Sequence, residues 1–154
     1  MNIKDIKVEN NSRFIKLTEG ENPIRIVSGF TSYPKTYQGG KPTTRYACYA
    51  IDRKDGEIRF FEIGASIIKQ IQALAMSAEY GFDDLPPYDM VIVRQGTGPM
   101  DTEYSVRAAR KDTALNEVEI AKIAELKPID QVFAQNLDEH LEQNKPTDVD
   151  GIPF

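Results

Sequence analysis

The chain has 154 residues, with 19 Lys and Arg against 24 Asp and Glu, a formal net charge of −5. That length suits one compact domain able to bury its own core, and the acid excess argues, on average, against a polyanionic partner. A single cysteine, Cys48, and a single histidine, His140, exclude a disulfide framework and a Cys/His zinc site. The polar start MNIKDIKVENN reads as no signal peptide, and no apolar run approaches the roughly 18 residues of a membrane span. A soluble, cytoplasmic protein is the expectation.

In chain order, Arg13–Leu17 reads as a short strand ended by Thr-Glu-Gly-Glu-Asn. Pro23 to Thr31 sets Ile24, Ile26 and Ser28 against Arg25, Val27 and Gly29, which is strand spacing. Pro34 to Pro42, bracketed by prolines and containing Gly39 and Gly40, is expected to be a loop. Thr43–Asp52 and Glu57–Ile63 are strands joined by an Arg53–Gly56 turn, whose Asp-Gly pair suits positive φ. From Gly64 to Tyr80 the apolar spacing becomes helical, with Ser66 a candidate N-cap and Gly81 a stop. After Pro86-Pro87, the strands Met90–Val93 and Thr102–Ala109 flank a Gln95–Pro99 loop.

Three strands, one helix and two strands is the connectivity of the OB-fold, a small Greek-key barrel. The expected fold is mainly β: a five-stranded OB-fold barrel with a helix between the third and fourth strands. Other α+β topologies fit the same pattern. Beyond Lys111 the character turns helical. Asn116 and Glu119 are spaced as a capping box, Leu115 can staple onto Ile120, and Phe133, Leu137 and Leu141 mark one face of a further helix. The expected organisation is a domain over 1–111, a C-terminal helical extension over 112–145 and a flexible acidic tail over 146–154.

The charge follows this division. Residues 1–111 hold 16 basic and 14 acidic side chains, whereas residues 112–154 hold 3 and 10. Asn22 to Ile51 contains no acid, while Arg25, Lys35, Lys41 and Arg45 interleave there with Phe30, Tyr33, Tyr37, Tyr46 and Tyr49. A basic, aromatic body on an acidic tail is a different object from a uniformly acidic chain.

Catalytic motifs fail on inspection. Gly39-Gly40-Lys41 is no phosphate loop, because Lys35 and Pro42 stand where that loop needs Gly and Ser or Thr. Asp83-Asp84 and Asp148/Asp150 lack supporting ligands, and one histidine builds no nucleophilic triad. No enzyme, catalytic residue, metal or cofactor is expected. Cys48 reads as a small core residue.

Single-stranded nucleic acid asks for cations that track phosphates and aromatic faces on which bases stack. Period-2 geometry places Arg45 and Tyr49 on one face of the second strand, with Tyr46 opposite, and Arg59 and Phe61 together on the third, with Phe60 opposite. Arg45, Tyr49, Arg59 and Phe61 are therefore expected side by side outside the barrel, with Tyr46 and Phe60 inside. The terminal Ile152-Pro153-Phe154 behind Asp148 and Asp150 suits a small apolar pocket with a basic rim on a partner.

The ending Asp-Val-Asp-Gly-Ile-Pro-Phe resembles the tail of bacterial single-stranded DNA-binding proteins. Glu21–Ser28, Tyr49–Gly56, Phe61–Gly64 and Asp101–Val106 resemble segments of the single-stranded DNA-binding proteins of tailed bacteriophages. The resemblance implies an OB-fold that sequesters single strands during replication and recombination, with a tail that recruits partner enzymes. Some phage relatives carry a zinc module after the first strand. Tyr33 to Pro42 stands there instead, so zinc is not expected. Phosphate contacts are expected from Arg25, Lys35, Lys41, Arg45, Arg59, Arg94 and Arg107, and stacking from Tyr33, Tyr37, Tyr49 and Phe61, with Phe30 and Tyr104 beside them. Asp148, Asp150, Ile152, Pro153 and Phe154 are the expected partner-binding residues. The rival expectation is an OB-like adaptor or inhibitor of host replication enzymes that binds no DNA.

Overall fold

The computed structural model describes residue 3 and residues 13–36, 40–96, 98, 101–109 and 113–132. In chain order its elements are β1 (Gly20–Ile26), β2 (Thr31–Thr36), β3 (Pro42–Asp52), β4 (Glu57–Ile63), α1 (Ala65–Ala75), β5 (Met90–Gln95), β6 (Glu103–Ala108) and α2 (Glu117–Ala124). The fold is mainly β, an antiparallel six-stranded sheet running β2-β3-β1-β5-β6 with β4 on the other side of β3.

β3 organises the sheet because its 11 residues are long enough to serve three neighbours. Its first half pairs with β2 (Thr31↔Ala47 to Thr36↔Pro42), its second half with β1 (Ile24↔Asp52 to Ile26↔Ala50), and its far edge with β4. β1 and β2 are thus two pieces of one interrupted strand. The interruption is stitched to β3 by Val27 N–H donating to Tyr49 O at 3.0 Å and by Tyr49 N–H donating to the Ser28 hydroxyl at 2.8 Å. A hydroxyl there replaces a ladder carbonyl, so the Tyr49 amide stays satisfied across the bend.

Thr31–Thr36 corrects the loop expected from Pro34 onward. Pro34 has no N–H to give, yet β2 lies at the edge of the sheet, where a strand tolerates that loss. Arg13–Leu17 shrinks to a single parallel bridge, Phe14 to Phe60, with Ile15 N–H to Phe60 O and Phe60 N–H to Arg13 O both at 2.8 Å. The β3–β4 turn closes with Gly56 N–H on Asp52 O at 2.7 Å, and Gly56 takes φ +79°, a conformation that favours glycine.

Helix α1 starts behind Gly64, not Ser66, and stops at Ala75, short of the expected Tyr80. Its Ile67 and Ile71 enter the main core with Ile24 and Ile26 of β1, Cys48 and Ala50 of β3, Phe61 and Ile63 of β4, and Met90 and Ile92 of β5. Burial pushes the Cys48 thiol well above its ordinary pKa, which suits a packing residue. α1 packs on β6, β3 and β4. Gln70 acts there as a strand surrogate: its amide donates to Tyr104 O at 2.9 Å and accepts from Val106 N–H at 2.8 Å, covering the outer edge of β6.

A second apolar layer lies on the opposite face of the sheet, where Val27, Ala47, Tyr49, Ile51 and Phe60 are covered by residues that follow β6. Asn116 and Glu119 form the capping box that starts α2. Leu115 packs into this second layer, whereas Ile120 is 55% exposed, so the expected staple between them does not form. No helix of the described residues is long and apolar enough to cross a membrane. Phe133, Leu137, Leu141 and the tail from 146 lie outside the described residues.

Candidate nucleic-acid interface

The register of the β3–β4 hairpin decides which side chains share a face. Asp52 pairs with Glu57, so Tyr49 stands opposite Phe60 and Cys48 opposite Phe61. The expected grouping of Arg45, Tyr49, Arg59 and Phe61 therefore does not occur. Phe61 is 1% exposed in the main core, and Phe60, expected inside the barrel, joins Tyr49 on the outer face. Their rings stack at 5.4 Å between centroids and 23° between planes, with Phe14 5.5 Å from Phe60.

The cations and aromatics that do come together are on the β2–β3 ribbon. Tyr33 pairs with Arg45 and Lys35 with Thr43, placing Tyr33, Lys35 and Arg45 on one face. Glu62 of β4 sits among them, accepting from Arg45 Nε at 3.1 Å and lying 3.5 Å from Lys35 Nζ. Burial alone would raise the Glu62 carboxyl, but the Tyr33 hydroxyl, Lys35 and Arg45 outweigh it and hold the group below its ordinary value. One carboxylate thus orients two cations and leaves the patch net positive. Lys41 is exposed just before β3.

Other expected phosphate contacts are engaged elsewhere. Arg59 is 6% exposed and forks onto Asp55, Nη1 to Oδ1 at 2.9 Å and Nη2 to Oδ2 at 2.6 Å, with Asp52 at 3.3 Å. The hydrogen bonds from Arg59 draw the Asp55 carboxyl down to about 2. A depressed carboxyl contributes stability that is full above its ordinary 3.8 and is lost as pH falls toward 2. Urea midpoints of the parent and of Asp55→Asn, separate at neutral pH, should converge between about pH 4 and pH 2. A constant separation would show that Asp55 does not carry this pH dependence.

Arg25 is also 6% exposed; its Nη1 donates to Thr113 O at 2.7 Å and lies 3.5 Å from Asp89. Asp89 in turn accepts from Arg53 Nε at 3.1 Å and Nη2 at 3.2 Å, and Arg53 Nη1 binds Glu119 of α2. Arg94 faces the core side beside Tyr104 and donates to Leu17 O at 2.9 Å. Arg107 is exposed on the opposite face of β6 and pairs with Glu21. Tyr49 is 7% exposed, its hydroxyl donating to Lys127 O at 3.1 Å.

Phe30 lies half-buried in the break between β1 and β2, where with Tyr46, Ile68 and Phe82 it walls a cavity of about 390 Å³. Asp84 and Gln72 also line that cavity, and among the described residues no Lys or Arg does. Tyr37 and the tail residues Asp148, Asp150, Ile152, Pro153 and Phe154 lie outside the described residues. Among the described residues no group of three or more His, Cys, Asp or Glu could hold a metal ion.

Sequence reasoning missed Phe60, Phe14, Glu62 and Arg53. The first was within reach, since a turn at Arg53–Gly56 already sets Tyr49 across from Phe60. The same register sets Glu62 across from Ala47, on the face of Arg45, whereas Phe14 and Arg53 depend on long-range contacts that no local pattern announces. Comparisons with protein-family models, curated proteins and solved structures find no match to this chain.

Proposed function

We propose that the chain binds single-stranded DNA without sequence specificity, protecting it during replication or recombination. Asp148, Asp150, Ile152, Pro153 and Phe154 would recruit partner enzymes. The observation that carries this reading is the Tyr33, Lys35 and Arg45 cluster on the β2–β3 ribbon, inside a segment from Asn22 to Ile51 that holds no acid. An aromatic face between two cations is what a stacked base and its flanking phosphates require. Strand order supports an OB-type scaffold. With β1 and β2 counted as one bent strand, the path β4-β3-β1-β5-β6 is that of an OB barrel opened between its third and fifth strands, with α1 against both ends.

Titration with oligo-dT tests the reading. The chain contains 7 Tyr and no Trp, so quenching of tyrosine emission reports binding. Affinity should fall with salt at a slope of about −0.7 per neutralised phosphate, and Lys41→Ala should lower that slope by somewhat less than one unit. Binding that ignores salt, or none at low salt, would instead favour an OB-like adaptor that acts on replication enzymes without DNA.

A further inference from the structure

Residues 113–132 lie over part of the outer face of the sheet. Tyr33, Lys35 and Arg45 are half-buried at its β2–β3 end, whereas Tyr49, Phe60 and Phe14, with Arg25 and Arg53 beside them, lie in one layer with residues 113–132. We infer that this segment is a displaceable cover and that the surface beneath it is a second part of the same DNA site. The inference rests on the DNA-binding reading above.

Three observations carry it. The covered surface has the chemistry of a single-strand platform, two stacked rings with a third at 5.5 Å and arginines alongside. The cover also meets the sheet as a nucleic-acid backbone would. The sheet or its β3–β4 turn donates and the cover accepts in all three of these ties: Arg25 to Thr113 O, Arg53 to the Glu119 carboxylate and Tyr49 hydroxyl to Lys127 O. A carboxylate thus stands where a phosphate oxygen would, and carbonyls stand where other acceptors of a strand would.

The cover is, third, lightly held. No residue of α2 is buried, and Leu115, Ile123, Leu126, Ile129 and Val132 are only half-buried where they touch the second layer. Val118 and Ile120 point outward at 63% and 55% exposure. An isolated helix of this length is marginal, so α2 depends on the sheet for its own stability. Thr113 N–H on Pro87 O at 2.9 Å anchors the start of the segment and would serve as its hinge.

With this cover, the observed affinity is the intrinsic affinity of the open platform multiplied by the open fraction. Loosening the cover should therefore tighten DNA binding. Trypsin digestion of the full chain reads the cover directly, because Lys122, followed by Ile123, is an exposed and cleavable residue within it. Saturating oligo-dT should speed cleavage after Lys122, and Glu119→Gln should bind oligo-dT about two- to fivefold tighter at low salt. Binding of oligo-dT with unchanged or slower cleavage, or with unchanged affinity in Glu119→Gln, would make residues 113–132 a fixed layer of the core and overturn the cover alone. A parent chain that does not bind oligo-dT at low salt would remove the DNA reading itself, and the cover with it.

Discussion

Replacing Phe61 with alanine is expected to cost about 3–5 kcal/mol of folding stability, read as a large fall in the urea midpoint. The ring is 1% exposed between β3 and α1, in one core with Cys48, Ile63, Ile67 and Ile71. Truncation there removes buried aromatic surface and leaves a cavity that rigid strands on either side cannot close. Since small domains hold only about 5–15 kcal/mol in total, the variant should be close to unfolding at 37 °C. A surface ring, as the alternation of residues 57–63 alone suggests for Phe61, would change stability by less than about 0.5 kcal/mol and leave the midpoint nearly unmoved. Such a small shift would mean that the β3–β4 register is wrong by one residue.

That register shows where sequence reasoning stops. The alternation in Thr43–Asp52 and Glu57–Ile63 is plain, and so is the turn between them. Alternation alone, however, does not say which face of one strand meets which face of the next. A shift of one residue exchanges every side chain between core and surface. The turn decides it: pairing Asp52 with Glu57 fixes Tyr49 on Phe60 and sends Arg59 and Phe61 to the other side. Arg59 then survives burial because its fork on Asp55 and Asp52 satisfies the charge.

β2 was obscured for a different reason. Pro34 and the glycines that follow are loop signals, and only the position of the strand at the sheet edge makes Pro34 acceptable. The second layer was hidden by distance along the chain. Ile123, Leu126 and Ile129 recur at near-helical spacing, so that a one-sided apolar face is legible, but nothing local says that it lies over Tyr49 and Phe60. Arg25 and Tyr49 were thus readable as a cation and an aromatic, and not as groups already engaged by Thr113 and Lys127.

On the β2–β3 ribbon, Tyr33→Ala is expected to weaken oligo-dT binding by about 1–3 kcal/mol while leaving the fold intact. Tyr33 is half-buried at the margin of the second layer, on an edge strand whose backbone ladder to β3 does not need the ring. Its partner Arg45 should behave differently. Arg45→Ala removes one cation and one of the two that orient around Glu62, leaving a half-buried carboxylate beside Lys35. The loss should therefore exceed that of a lone exposed lysine, and it should grow at low salt, where a newly dominant Glu62 charge repels phosphate least screened. Arg45→Ala with Glu62→Gln should recover part of the binding, because the second change withdraws that negative charge. Measured by tyrosine quenching at two salt concentrations, Tyr33→Ala should lose affinity by a similar factor at both, and Arg45→Ala mainly at the lower. If both variants bind like the parent while the domain stays folded, the β2–β3 ribbon is not where the strand lies.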